Sequence, residues 1–250
     1  MDLTSDSLAN QKKVNYALRE DMTKEEFINE VIKGLSSPPK YFPSNVELNK
    51  EGYEDVSLII KKSLNPINIH TFNLLRKQID ILILDVRSKR LFSEGHIPGS
   101  LFIGLEGMFA PWAGTLIEDV NQKIIIVSSK GKEEEAISRL SRVGFDNVIG
   151  FLDGGFDKWA NSSGKIKKIK CISAEEFVNE TGILRRDIFD VRNEDEFKVG
   201  HFPGARSAPL KNIDKYISEL REDSTFYIYC KSGYRSCLLY TSDAADDPTC

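Results

Sequence analysis

Asp85-Val86-Arg87, followed by Phe92 and Gly95-His96-Ile97-Pro98-Gly99, is written twice in this chain. The second writing is Asp190-Val191-Arg192, Phe197 and Gly200-His201-Phe202-Pro203-Gly204, displaced by 105 residues at every shared position. A pattern D-V-R-x4-F-x2-G-H-x-P-G at one fixed spacing is a duplicated unit, not a compositional accident. Working outward, each D-V-R closes an apolar run: Ile81-Leu82-Ile83-Leu84 in the first copy and Ile188-Phe189 in the second. Continuous apolar runs this short read as strands buried on both faces. A further strand follows in each copy, Ile124-Ile125-Ile126-Val127 and Phe226-Tyr227-Ile228-Tyr229, at an offset of 102 because the first copy has a longer segment around Met108 to Gly114. In the first copy a helix is expected from Glu133, with Ala136, Ile137, Leu140 and Val143 on one face, then a strand at Val148-Ile149, Gly154-Gly155-Phe156 and a short helix around Trp159. The linker Asn161-Ser162-Ser163-Gly164 precedes a capping box at Ser173 and Glu176. Strands alternating with helices at these lengths predict an α/β fold: two small, mostly parallel sheets flanked by helices.

The chemistry concentrates where the second copy leaves its last apolar strand, at Cys230-Lys231-Ser232-Gly233-Tyr234-Arg235-Ser236. Ligands of parallel α/β units bind beyond the carboxyl ends of the strands. A loop turning there into a helix aims successive N–H groups inward and makes a nest for an anion. A cysteine at its centre is held as thiolate, with Lys231 and Arg235 adding positive potential and Gly233 supplying a positive φ. Laid over this loop without gaps, the first copy puts Ser128 opposite Cys230, Gly131 opposite Gly233 and Glu133 opposite Arg235. The nucleophile is missing, and Glu133-Glu134-Glu135 would repel an anion, so the first copy is expected to be catalytically inactive. Asp85, Arg87, His96, Asp190, Arg192 and His201 occur in both copies and are expected to shape turns, with Asp190 and Arg192 also lining the second pocket.

The paired D-V-R and G-H-x-P-G motifs with a C-x-x-G-x-R loop resemble the rhodanese sulfurtransferases, over residues from about 66 to 236. The resemblance implies a reaction in which the Cys230 thiolate takes a sulfane sulfur from thiosulfate or a persulfide and passes it to a thiol or cyanide. It also implies that Ser232, Tyr234 and Ser236 donate N–H or O–H groups to the persulfide or the donor. Two other readings use the same residues. C-x5-R loops of protein tyrosine phosphatases and arsenate reductases also cradle an oxyanion around a cysteine, but only four residues separate Cys230 from Arg235. Cys230 could also be a buried core thiol, since Cys is among the most buried residue types.

At 250 residues the chain has room for about two domains. A net charge of −4 with interleaved acids and bases argues against nucleic acid or an anionic membrane surface as partner. No apolar run approaches the ~20 residues of a membrane helix, and the N-terminus lacks a signal-peptide core, so a cytoplasmic protein is expected. The cysteines at 171, 230, 237 and 250 contain no C-x-x-C pair, and only three histidines are present, so neither a disulfide framework nor a metal site is expected here. The expected partners are a small-molecule sulfur donor and a thiol acceptor.

Residues 1–52 are expected to form a helical extension, with a capping box at Thr23 and Glu26 and apolar residues Phe27, Ile28, Val31, Ile32 and Leu35 at helical spacing. Asn15-Tyr16-Ala17-Leu18, Met22 to Phe27 and Pro38 to Pro43 resemble the C-terminal end of metallo-β-lactamase-fold hydrolases of the glyoxalase II and persulfide dioxygenase kind. That resemblance implies an upstream domain, carrying any metal ion, for which the repeats would serve as a sulfur carrier. The two copies are assigned to 53–163 and 164–236. Beyond Ser236, Cys237 to Cys250 shows no amphipathic continuation and resembles a translated sequencing adapter. The segment 237–250 is accordingly expected to be a non-native tail that leaves the second copy truncated and its sheet edge uncovered.

Overall fold

The computed structural model describes residues 5–33, 41–52, 54–162, 164–181, 188–216 and 226–244. The chain divides into two compact units, Met1–Pro38 and Pro39–Cys250. In the first, helix α1 (Leu8–Val14) is capped by Ser7 and followed by a 3-10 turn, Tyr16–Leu18. Helix α2 (Lys24–Ile32) opens on the expected capping box: Thr23 Oγ1 accepts from the Glu26 N–H while the Glu26 carboxylate accepts from the Thr23 N–H. Leu35, the last residue expected on its apolar face, lies outside the described residues. Segment 41–52, read from the sequence as part of the helical extension, belongs to the second unit: helix α3 (Phe42–Glu51) starts beside Tyr41, which packs on the core. Among the described residues no helix is long and apolar enough to cross a membrane.

The second unit holds both copies. Helix α4 (Val56–Ser63) leads to strand β1 (Pro66–Ile67) and helix α5 (Ile69–Leu75). Then come β2 (Ile81–Asp85), α6 (Lys89–Glu94), β3 (Leu101–Phe102), α7 (Phe109–Leu116), β4 (Lys123–Val127), α8 (Glu133–Ser141), β5 (Val148–Leu152) and α9 (Gly155–Ala160). The five strands form one all-parallel sheet in the order β1-β5-β4-β2-β3. Helix α10 (Ala174–Thr181), β6 (Ile188–Asp190), α11 (Glu194–Val199), β7 (Arg206–Ser207), β8 (Tyr227–Tyr229) and α12 (Tyr234–Ala244) make the second copy, whose parallel sheet runs β7-β6-β8. The fold is therefore the α/β arrangement of parallel sheets and flanking helices that the strand and helix alternation predicts.

The registers superpose the copies. Asp85 pairs with Phe102 and Val127; Asp190 pairs with Ser207 and Tyr229. Thus β6, β7 and β8 repeat β2, β3 and β4, and Cys230 and Ser128 each follow the residue that faces the D-V-R aspartate. Two sequence expectations differ. The linker folds back: Lys167 and His96 form an antiparallel bridge, and the Ile169 N–H donates to the Ser93 carbonyl. Helical continuation does exist beyond Ser236, because α12 runs through Ala244 and buries Cys237, Leu238, Leu239 and Thr241. Its apolar residues are consecutive rather than spaced at i, i+3, i+4 because the helix is enclosed, joining one core with Phe102 and Phe92 of the first copy. Thr241 Oγ1 accepts from the Phe102 N–H at 3.1 Å, satisfying a donor on the sheet edge at β3. Residues 245–250 of the expected tail lie outside the described residues.

Candidate active site

Each copy is braced at the strand end in the same way. In the first, the Arg87 N–H, Nε and Nη2 donate to both oxygens of Asp85 at 2.6–3.1 Å, and Nη2 also donates to the Gly95 carbonyl at 2.8 Å. In the second, Arg192 does the same to Asp190, and its Nη2 donates to the Gly200 carbonyl at 2.6 Å. The aspartate thus ties the end of its strand, through arginine, to the G-H-x-P-G turn. This corrects the expectation that Asp190 lines the second pocket: it is fully buried and both of its oxygens are taken by Arg192. Arg192 does line the pocket, lying 5.6 Å from the ring of Tyr229. Burial pushes the Asp85 carboxyl up despite Arg87, whereas at Asp190 burial is outweighed by the Arg192 hydrogen bonds and the carboxyl is held down.

Cys230 sits at the carboxyl end of β8, half-buried, in a pocket of about 450 Å3 shared with Arg192, Gly200, His201, Phe202, Pro203, Tyr229 and Lys231. Its Sγ accepts the Gly233 N–H at 3.1 Å, and Gly233 turns the chain with φ +83° into α12. Burial works against ionisation of the thiol, but the Ser236 hydroxyl and the N–H groups of Ser232, Ser236 and Arg235 outweigh it and hold the pKa below the usual thiol value. The Ser236 hydroxyl is buried with no other hydrogen-bond partner among the described residues, which leaves the Cys230 sulfur as its acceptor. The loop therefore has the anion nest that its glycine and position imply.

Both loop cations lie by the thiol, Arg235 interacting with the Cys230 sulfur as well as with a carboxylate, whereas the tyrosine hydroxyl turns elsewhere. Lys231 flanks the thiol with no ion-pair partner among the described residues. Arg235 is paired: Nη1 and Nη2 donate to Oε2 and Oε1 of Glu196 at 2.6 and 2.9 Å, in a bidentate pair. The same carboxylate accepts the Asn193 N–H in the capping box of α11, and Arg235 holds its pKa down to about 2. Glu196 escaped the sequence reading because the repeat highlights shared positions, and here the first copy has Leu91. The Tyr234 hydroxyl does not face the sulfur. It donates to the Gly104 carbonyl of the first copy at 2.8 Å, with its ring edge-on to Phe102. Lys89, also from the first copy, donates to the Ser232 carbonyl. Between them runs a groove of about 520 Å3 that includes Trp112, Lys211, Ser232 and Arg235.

Comparison with known proteins agrees with this geometry. The sequence matches the Rhodanese-like domain over residues 70–162 and again over 173–245. The chain belongs to the rhodanese-like domain family. It is 37% identical over 68 residues to the uncharacterized protein YqhL of Bacillus subtilis, covering 27% of this chain and 52% of YqhL. It is 33% identical over 86 residues to the putative sulfur carrier protein YrkF of the same organism, covering 34% and 45%. The thiosulfate sulfurtransferase GlpE of Pseudoalteromonas translucida is 36% identical over 101 residues, covering 39% of this chain and 90% of GlpE. The chain thus spans about half the length of YqhL and YrkF.

The first rhodanese-like copy keeps the frame without the pocket. Gly131 repeats the turn of Gly233 with φ +80°. Ser128 is buried, and its hydroxyl donates to Glu133 Oε1 at 3.0 Å, so the residue opposite Arg235 occupies the one opposite Cys230. The space above is filled by α9: a Cβ on Gly155 would lie 2.8 Å from the Ser128 carbonyl oxygen, and one on Gly95 would lie 3.0 Å from the Phe156 ring. The Arg87 guanidinium stacks 4.1 Å from that ring. Glu135 of the acidic run pairs with Lys132 and Arg139. Among the described residues no group of three or more His, Cys, Asp or Glu side chains gathers as a metal site would require.

Proposed function

We propose that the protein is a sulfurtransferase that carries sulfane sulfur on Cys230. The observation that carries this reading is the convergence of the Gly233 N–H at 3.1 Å, the buried Ser236 hydroxyl and further loop N–H groups on one half-buried thiol. Such a site favours an anionic sulfur at its centre. With thiosulfate as donor, the Cys230 thiolate attacks the outer sulfur, the donor S–S bond breaks, and sulfite leaves with the electron pair. With a hydropersulfide R–S–SH, the thiolate R–S⁻ leaves instead and the proton is lost from the new Cys–S–SH. A thiolate or cyanide acceptor then attacks the outer sulfur, and the Cys230 thiolate departs to complete the cycle. The relationship to GlpE, named a thiosulfate sulfurtransferase, and to YrkF, named a putative sulfur carrier, supports this chemistry. Single-turnover sulfur transfer from thiosulfate or cysteine persulfide tests it. Cys230→Ser should lose transfer by roughly 10³-fold or more, as removal of a covalent nucleophile does; full activity in that variant would refute the proposal.

A further inference from the structure

We propose that Glu196 is a specificity-determining residue: by engaging Arg235 it adapts the Cys230 loop to a persulfide donor rather than to dianionic thiosulfate. The proposal rests on the sulfurtransferase reading of Cys230 and names the donor class within it.

Arg235 is the residue through which a C-x4-R loop would bind a second anion, and the guanidinium fork matches an oxyanion well. Here both ends of that fork are occupied by the Glu196 carboxylate, with only 20% of the Arg235 side chain exposed. Arg192 is likewise bound to Asp190. Arg235 also interacts with the Cys230 sulfur, so Glu196 offsets the charge of a guanidinium that reaches the thiol, while Lys231 lines the thiol's pocket with no ion-pair partner among the described residues. His201 completes the wall, its Nδ1 2.9 Å from the Phe197 carbonyl oxygen. Thiosulfate brings two negative charges to this balanced pocket, whereas a persulfide brings at most one at its reacting end. The difference is a Coulomb penalty that grows with the charge of the donor. The pairing is also specific to the reactive copy: the first has Leu91 and Glu133 at these two positions, so carboxylate and guanidinium are lost together with the nucleophile.

Glu196→Gln tests the inference cleanly, because glutamine can keep the capping interaction with Asn193 while removing the charge. In the full chain, the ratio of kcat/KM for thiosulfate to that for cysteine persulfide should rise about tenfold, the size expected for unmasking one partly buried charge. Glu196→Asp should restore the ratio toward the parent value. In an Arg235→Gln background Glu196→Gln should leave the ratio unchanged, since there is no guanidinium to unmask. Alkylation of Cys230 gives a readout independent of turnover. The rate with anionic iodoacetate relative to neutral iodoacetamide should rise in Glu196→Gln in step with the donor ratio. Unchanged ratios in both assays would overturn the proposal in an active enzyme. A parent protein that transfers sulfur from neither donor would overturn the sulfurtransferase reading, and the donor claim with it, whatever the alkylation ratio does.

Discussion

The two copies share their strand registers, their Asp–Arg braces and their positive-φ glycines, yet one presents a half-buried thiol in an open pocket and the other a buried serine under a phenylalanine. Residues that repeat build the frame; residues that differ are the ones to which the proposed chemistry falls. Cys230, Arg235 and Glu196 stand where the first copy has Ser128, Glu133 and Leu91. The first copy, without a cysteine at this position, is part of the site's support. Its Gly104 carbonyl fixes Tyr234, its Lys89 holds the Ser232 carbonyl, and its core encloses α12. A copy without the cysteine can in this way still serve as a wall for its twin.

The contrast should be broken most severely at Cys230, where substitution is expected to lower transfer by roughly 10³-fold or more. After the donor-ratio change at Glu196, the next largest effect is expected at the braces, which look alike but differ in burial. Both aspartates are 0% exposed, but Arg87 is 5% exposed and Arg192 19%. Arg87→Ala leaves a buried carboxyl without its partner and should cost about 3 to 5 kcal/mol in chemical denaturation. Arg192→Ala also strips a buried carboxyl, but removing the more exposed arginine opens Asp190 to water, so the cost should be about 1 to 2 kcal/mol. Equal losses would show that the second brace is as enclosed as the first.

The histidines offer a pH test of the same asymmetry. His96 is 2% exposed, and burial depresses its pKa to about 4 from 6.5. The unfolded chain therefore binds a proton there that the folded chain does not. Stability arising from neutral His96 is fully present above pH 6.5 and is lost as pH falls toward 4, by up to about 3 kcal/mol. Denaturation midpoints followed over that interval should fall more steeply in the parent than in His96→Phe. The smallest effect is expected at Tyr234. Tyr234→Phe removes its bond to Gly104 and should lower stability by about 1 kcal/mol while leaving sulfur transfer within about threefold. A loss of transfer far beyond that would put its hydroxyl back at the sulfur.

Much of this was legible in the sequence, for reasons that mark where legibility ends. The 105- and 102-residue offsets are strand registers in disguise, so the alignment of Ser128 with Cys230 and the two parallel sheets followed from counting. Gly131 and Gly233 were legible because a strand-to-helix turn needs positive φ. Glu196 was not, because its partner lies 39 residues away and the pairing has no periodic signature. For the Tyr234 hydroxyl the sequence gives adjacency to Cys230 but not direction, and for Asp190 it gives a place at the strand end but not a partner. One side chain points into the other copy, and the other is consumed by its own arginine. The helix beyond Ser236 was missed because enclosure on more than one side erases the amphipathic pattern.

The central claim, that one copy carries sulfur and the other only supports it, is tested most directly by locating the sulfur. After reaction with cysteine persulfide and removal of excess donor, tryptic cleavage separates Cys230, in residues 222–231, from Cys171 and Cys237. The added sulfur mass should reside on the 222–231 peptide, disappear on adding an acceptor thiol, and be absent in Cys230→Ser. Sulfur retained on Cys171 or Cys237 in that variant, and delivered from there to the acceptor, would contradict the account.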